Sequence, residues 1–264
     1  MLRRDEIFHN RAKKLLAEKK KLCAGWLQSA SPVTAEIMAK AGFDVLMVDM
    51  EHGPGDIMQL ISQLQAIARY DVVPFARAPW NDFVTIKKML DTGLNGLLIP
   101  YVNTAQEARQ AVSACKYPLE GIRGIAPSPR AGGYGMDKRN YLEYAHEQID
   151  VMIAVETKTA VDNIEEIVQT TGLDGIFIGP MDLATSFGYF CNPQAEEVQE
   201  AIRKVEEAVL PSDKFLATVA GDFEQAKKLY EKGYSLVVMM SDTTTLGKIA
   251  LDQVNKFRES YPQR

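Results

Sequence analysis

Residues 44–56 read DVLMVDMEHGPGD. The stretch 44–50 is mostly apolar and β-favouring, the composition of a strand covered on both faces. Asp49, Glu51 and His52 then crowd its end, and Gly53, Pro54 and Gly55 break the run. Two carboxylates and an imidazole serve no purpose at the end of a core strand unless that end opens on a site.

The pattern recurs along the chain. Apolar runs at 22–27 (LCAGWL), 73–78 (VPFARA), 96–102 (GLLIPYV), 150–156 (DVMIAVE), 175–180 (GIFIGP), 215–220 (FLATVA) and 236–242 (LVVMMSD) join 44–50 as candidate strands. Between them lie amphipathic stretches such as SPVTAEIMAKAG, NDFVTIKKMLDTG, TAQEARQAVSACK and DFEQAKKLYEKG. Several open on Ser, Asn, Thr or Asp, and Gly93, Gly172 and Gly233 read as helix stops. One more helix, over about 3–20, precedes the first strand. This alternation predicts an α/β fold, a (β/α)8 TIM barrel, as one domain over 1–264. The rival, a doubly wound open sheet, would carry a Gly-rich turn after its first strand, and GWLQSASP has no GxGxxG. Two connections are long: 118–149, containing GIRGIAPSPRAGGYG, and 181–192. Long ordered loops at a barrel mouth often act as lids.

Composition narrows the function classes. With 46% apolar and 25% charged residues, a sizeable core is affordable. The 30 basic and 35 acidic residues give a net charge of −5, and no basic face suited to nucleic acid is visible. The start, MLRRDEIFHNRAKKLL, lacks an apolar signal core, and no apolar run is long enough for a membrane span. Cys23, Cys115 and Cys191 are odd in number and far apart, which suits a reduced cytoplasm rather than a disulfide framework.

In a barrel, active sites sit where the strand C-termini converge. That places Asp49, Glu51 and His52 (strand two), Arg77 (strand three), Glu156 (strand five), Asp182 (after strand six) and Asp242 (strand eight) around one mouth. Simpler readings compete: Asp242 as a helix cap, Glu51 as turn structure, Arg77 as charge balance. His9 and His146 lie in polar helical stretches and read as solvated. Several carboxylates in one desolvated mouth repel each other, and a bound cation relieves that cost. Glu156 and Asp182 are hard oxygen donors with no Cys or second His beside them, a set suited to Mg²⁺ or Mn²⁺ with open positions for water and substrate. A 2-oxo acid could chelate such an ion and form an enolate, with Arg77 donating to the same oxygen. His52 would shuttle the proton through a metal-bound water, with Asp49 orienting the imidazole. The segment Gly179, Pro180, Met181 and Asp182 would bind substrate, the backbone N–H groups after Gly179-Pro180 holding its carboxylate.

Taken in order, FDVLMVDMEHGPGD, PFARAPW, TGLNGLLIPYVNTAQEA, YPLEGIRGIAPSPRAGGYG, AVETKTAVDNIEEI and DGIFIGPMDLATSFG resemble the HpcH/HpaI aldolase family, from about Gly25 to Asp242. The resemblance implies a class II 2-keto-3-deoxy acid aldolase: a divalent metal on Glu156 and Asp182, an Asp49–His52 acid/base pair and Arg77 on the enolate oxygen. It implies reversible cleavage of a 4-hydroxy-2-oxo acid to pyruvate and an aldehyde. It also implies a homo-oligomer, dimers assembling to a hexamer, with the final helix swapped onto a neighbouring subunit. The stripe Leu246, Ile249, Ala250, Val254, Phe257 suits either that docking or an ordinary eighth barrel helix. Two departures bear on substrate choice. Ala154 stands where many members carry Gln, and VVMMSD, with Met239 and Met240, replaces a segment usually rich in small residues.

The alternatives are a Schiff-base aldolase using Lys158, a metal-enolate enzyme with another electrophile, and a non-catalytic barrel. The second could condense a keto acid or cleave an acyl-CoA ester, with Arg123 and Arg130 contacting the anion. Phosphorylated sugars fit less well, since Gly221 is available after strand seven but the stretch MMSDTTT at the end of strand eight offers no glycine.

Overall fold

The structure, a computed structural model, describes residues 8–136 and 138–263. Eight parallel strands close into a barrel in chain order: β1 (Leu22–Leu27), β2 (Val45–Asp49), β3 (Val73–Arg77), β4 (Gly96–Ile99), β5 (Asp150–Val155), β6 (Gly175–Ile178), β7 (Phe215–Val219) and β8 (Leu236–Ser241). The helices are α1 (Arg11–Ala17), α2 (Pro32–Ala41), α3 (Ile57–Ile67), α4 (Phe83–Leu90), α5 (Ala105–Cys115), α6 (Lys138–Gln148), α7 (Lys158–Asp162), α8 (Ile164–Val168), α9 (Pro180–Ser186), α10 (Glu196–Val209), α11 (Phe223–Lys232) and α12 (Asp242–Ser260). The expected TIM barrel is therefore present. Of the helix expected over about 3–20, the described residues show the shorter α1, which starts at Arg11 because the Asn10 side chain caps it by accepting from Lys13 N; residues 3–7 of the expected range lie outside the described residues.

The sequence signals produce these elements by known means. Asp56 and Thr104 cap α3 and α5, and each donates its own backbone N–H in return to the side-chain oxygen of Gln59 or Glu107. Gly233 closes α11 at φ 113°, a conformation that carries little penalty without a Cβ. Strand four stops at Ile99, short of the expected 102, because Pro100 has no N–H for the ladder and Tyr101 turns to φ 55°. Strand six stops at Ile178 because Gly179 already caps α9.

Side chains divide by strict alternation. One set faces the helices and forms the outer core with Leu46, Val48, Ala76, Ile153 and Ile178. The other fills the barrel: Ala24 and Trp26, Val45 and Met47, Val73 and Phe75, Met152 and Ala154. Glycines make room for the interior rings. A Cβ on Gly96 would stand 2.7 Å from Phe75, and one on Gly175 would stand 2.3 Å from Phe215. Continuing each interior series by two residues reaches Gln28, Asp49, Arg77 and Glu156. The top layer of the barrel interior is thus polar because the apolar period ends one step early.

The opposite end is plugged by α1. Ala12 and Leu16 are fully buried there, and the Asn10 amide donates to Asn95 O, Gln148 O and Asp150 Oδ2. The connection 118–149 belongs to this closed end, which corrects its expected role as a lid. Arg123 pairs with Asp91 just past α4, Arg130 donates to Thr92 O, and the Tyr141 hydroxyl donates to Leu90 O. The physical reason is topological: α5 has already carried the chain back from the mouth.

Helix α12 leaves the barrel. Only Asp242 of it is buried. Leu246, Ile249, Val254 and Phe257 of the expected stripe are exposed, as is Tyr261 just beyond, so α12 is not packed as an eighth barrel helix. Among the described residues, no helix is long and apolar enough to cross a membrane.

Candidate active site

The β2–β3 register sets Asp49 directly beside Arg77. Both point into the barrel, and Arg77 grips Asp49 through two bonds, Nε to Oδ1 at 3.0 Å and Nη2 to Oδ2 at 2.7 Å. This bidentate fork fixes the guanidinium plane. Trp26 flanks it, with Arg77 Cζ 4.6 Å from the ring centroid. Gln28 Nε2 adds a bond to Asp49 Oδ2 at 3.0 Å, and the backbone N–H groups of Glu51 and His52 donate to Oδ1. Burial alone would raise the Asp49 carboxyl. The Arg77 bonds and charge, with Gln28, overcome it and hold it at about 2.

This pair carries stability. Its folded value is depressed, so its contribution is complete above the usual carboxylate range and is lost as pH falls through about 2. The loss should be about 2 kcal/mol between roughly pH 5 and pH 2, read by urea unfolding, and Asp49→Asn should flatten that limb. Arg77→Ala strands a carboxylate whose side chain is 0% exposed. It should cost about 3–5 kcal/mol in unfolding free energy. A second change, Asp49→Asn, should recover part of that. A double variant as unstable as Arg77→Ala alone would contradict this account.

Glu156 follows β5 on the same interior face and is 3% exposed. Its Oε2 accepts from the Tyr101 N–H at 3.1 Å, which the left-handed turn at Tyr101 aims inward. Its Oε1 lies where a Cβ on residue 179 would stand 2.7 Å away, so Gly179 is the cradle for this carboxylate. Burial first, then the charges of Glu51 and Asp182, push Glu156 up to about 7. Asp182 sits in the first turn of α9, with Gly179, Pro180 and Met181 lining the same cavity of about 560 Å³. Among the described residues, neither Glu156 nor Asp182 has a side-chain cation in ion-pair contact.

Several expectations resolve differently. The Asp49 carboxylate does not reach the His52 imidazole, because Arg77, Gln28 and two backbone N–H groups already use both oxygens. The imidazole, 62% exposed, has Glu51 as its carboxylate neighbour, at 3.7 Å. Asp242 is not the cap residue of α12. Ser241 holds the cap position, and Asp242 accepts from Gln28 N, Ser29 N, Ser29 Oγ and Thr34 Oγ1, tying β8 to the β1–α2 turn. Arg123, fully buried between Tyr117 and Tyr141, and Arg130 are structural and lie at the closed end. Lys158 is exposed on α7 over the Phe187 ring, outside the cavity lining. Gln28, Trp26 and Tyr101 escaped the sequence reading. Trp26 and Gln28 could have been found by extending the alternation of β1, whereas Tyr101 acts through its backbone and leaves no side-chain signal.

The HpcH/HpaI aldolase/citrate lyase family model matches residues 23–248. The chain belongs to this family. The 4-hydroxy-2-oxo-heptane-1,7-dioate aldolase of Escherichia coli is 40% identical over 225 residues, 85% of this chain and 86% of that protein. The hydroxypyruvate/pyruvate aldolase of Cupriavidus necator is 37% identical over 251 residues, 95% of this chain and 93% of that one. A solved HpcH/HpaI aldolase/citrate lyase family protein from Burkholderia cenocepacia superposes with TM-score 0.90 at 34% identity, covering 94% of this chain and 99% of that one. The resemblance carried by the ordered motifs is borne out, and this HpcH/HpaI chain is an enzyme, a carbon–carbon lyase of the aldolase class.

Proposed function

We propose that this HpcH/HpaI enzyme reversibly cleaves a 4-hydroxy-2-oxo acid to pyruvate and an aldehyde, with Mg²⁺ or Mn²⁺ held by Glu156 and Asp182. The observation that carries the reading is Glu156: a buried carboxylate at the barrel mouth, raised to about 7 beside Glu51 and Asp182, with Gly179 cleared to admit it. Such a group fits a divalent cation, which would replace the proton and quench the repulsion. Two carboxylates leave positions open for water and substrate. When bound, the cation supplies Lewis-acid stabilisation of an enolate.

The chain's own groups do the rest. Arg77, locked by Asp49, presents its remaining N–H edge to the developing enolate oxygen without reorganising. The backbone N–H groups after Gly179-Pro180, at the start of α9, receive the substrate carboxylate. In the cleavage direction His52 takes the proton of the C4 hydroxyl, the C3–C4 pair passes to the enolate, and the aldehyde carbonyl forms. The imidazolium then returns the proton to C3, giving pyruvate.

Rival readings lose their supports. Lys158 lies outside the cavity lining, and the arginines suggested for an acyl-CoA are committed to the closed end. The Gly221 N–H donates to Gln225 Oε1 at 2.7 Å, leaving it no free hand for a phosphate. Ala154 is fully buried beneath Glu156, so no polar group from that position reaches the substrate. The exposed stripe of α12 supports self-association, as a hexamer with that helix swapped, and three free cysteines suit the cytoplasm. The test is pyruvate release from a panel of hydroxy-oxo acids with Mg²⁺ or Mn²⁺. Activity that survives EDTA, or that is trapped by borohydride on Lys158, would refute the metal reading.

A further inference from the structure

Both oxygens of Asp49 are saturated. Oδ1 accepts from Arg77 Nε and from the N–H groups of Glu51 and His52; Oδ2 accepts from Arg77 Nη2 and Gln28 Nε2. A carboxylate offers about four lone-pair sites, so nothing remains for an imidazole. Glu51 is in the opposite condition. Its side chain is 13% exposed, and Oε2 stands 3.1 Å from Arg77 Nη1 and 3.7 Å from His52 Nε2. That oxygen is buried without a hydrogen bond. The Arg77 ion pair balances its charge without hydrogen-bond geometry, so this buried oxygen keeps acceptor capacity for a donor that arrives during function. The turn bearing Glu51 cannot drift away. Asp49 Oδ1 holds two of its N–H groups, and the backbone presses so close that a Cβ on Gly53 would meet Asp49 O at 2.2 Å.

We propose that Glu51 is the positioning residue for His52, its Oε2 joining the Arg77 guanidinium to the imidazole, while Asp49 serves to hold Arg77 and the turn. The inference rests on His52 as the proton carrier of the proposed reaction. When His52 takes the C4 hydroxyl proton, an imidazolium forms next to Glu51 as the enolate forms next to Arg77. Glu51 Oε2 lies within ion-pair distance of both groups, so it stabilises the imidazolium and keeps the two sites of developing charge in fixed relation. Other charged groups facing it are Asp49 of β2 and Asp182 of α9.

The experiment follows exchange of the pyruvate methyl protons in D2O by the full-length, Mg²⁺-loaded protein, as a function of pH. This half-reaction needs the proton carrier and no aldehyde. Glu51→Gln removes the charge that favours the imidazolium, so the rate should fall about 10–100-fold, as for loss of an outer partner of an active-site group. Its acid limb should move to lower pH, and Glu51→Asp, which keeps the charge, should hold that limb near its original position. A Glu51→Gln enzyme with the wild-type pH profile overturns the inference, as does a profile shifted by Asp49→Asn and unmoved by Glu51→Gln. Wild-type protein that exchanges no protons overturns the proposed reaction as well; exchange lost in His52→Ala but unshifted in Glu51→Gln overturns the role of Glu51 alone.

Discussion

Glu156→Ala and Asp182→Ala should each abolish divalent-cation binding and pyruvate release together. With only two protein ligands, losing one leaves a single carboxylate to compete with bulk water for the ion, and Mg²⁺ gives up its hydration shell reluctantly. The Lewis-acid contribution is worth several kcal/mol, so turnover should drop by about 10³-fold or more. Glu156→Gln separates ligation from packing. The amide keeps the shape and can still accept from the Tyr101 N–H, but it carries no charge. It should fold as well as wild type without metal, because it removes the buried charge whose desolvation first, and repulsion by Glu51 and Asp182 second, push Glu156 up to about 7. Manganese titration of each variant reads the binding. A Glu156→Gln protein that holds Mn²⁺ as tightly as wild type would remove the ground for the proposed centre.

His52→Ala should leave the cation bound and lower turnover by about 10²–10⁴-fold, the usual range for a lost general acid/base. The imidazole is 62% exposed and contributes nothing to the core, so stability should hardly change. The split between intact metal binding and lost proton transfer distinguishes this variant from the ligand variants. Full turnover in His52→Ala would assign the proton to another group.

The proportion legible in the sequence follows from how far each interaction reaches. Continuous apolar runs and cap signals are local, and they located all eight strands, with errors confined to ends such as Pro100 and Gly179 where the backbone leaves the ladder. The convergence of Asp49, His52, Arg77, Glu156 and Asp182 on one mouth needed only the barrel rule, because every strand C-terminus goes there. The lid reading of 118–149 failed although the helix of TAQEARQAVSACK, which returns the chain to the closed end, was visible just before it.

Alternation of period two is a property of neighbouring residues, so the chain alone determined that Asp49, Arg77 and Glu156 continue the interior faces of their strands. Which atom meets which was decided by contacts between distant segments. The β2–β3 register seats Arg77 on Asp49 across 28 positions, and the carboxylate in ion-pair distance of the His52 imidazole is Glu51. The left-handed turn at Tyr101 and the bare Gly179 settle where Glu156 lies. Hydrogen bonds are short-ranged and directional, and their pairing exists only once the barrel has closed and brought these ends together.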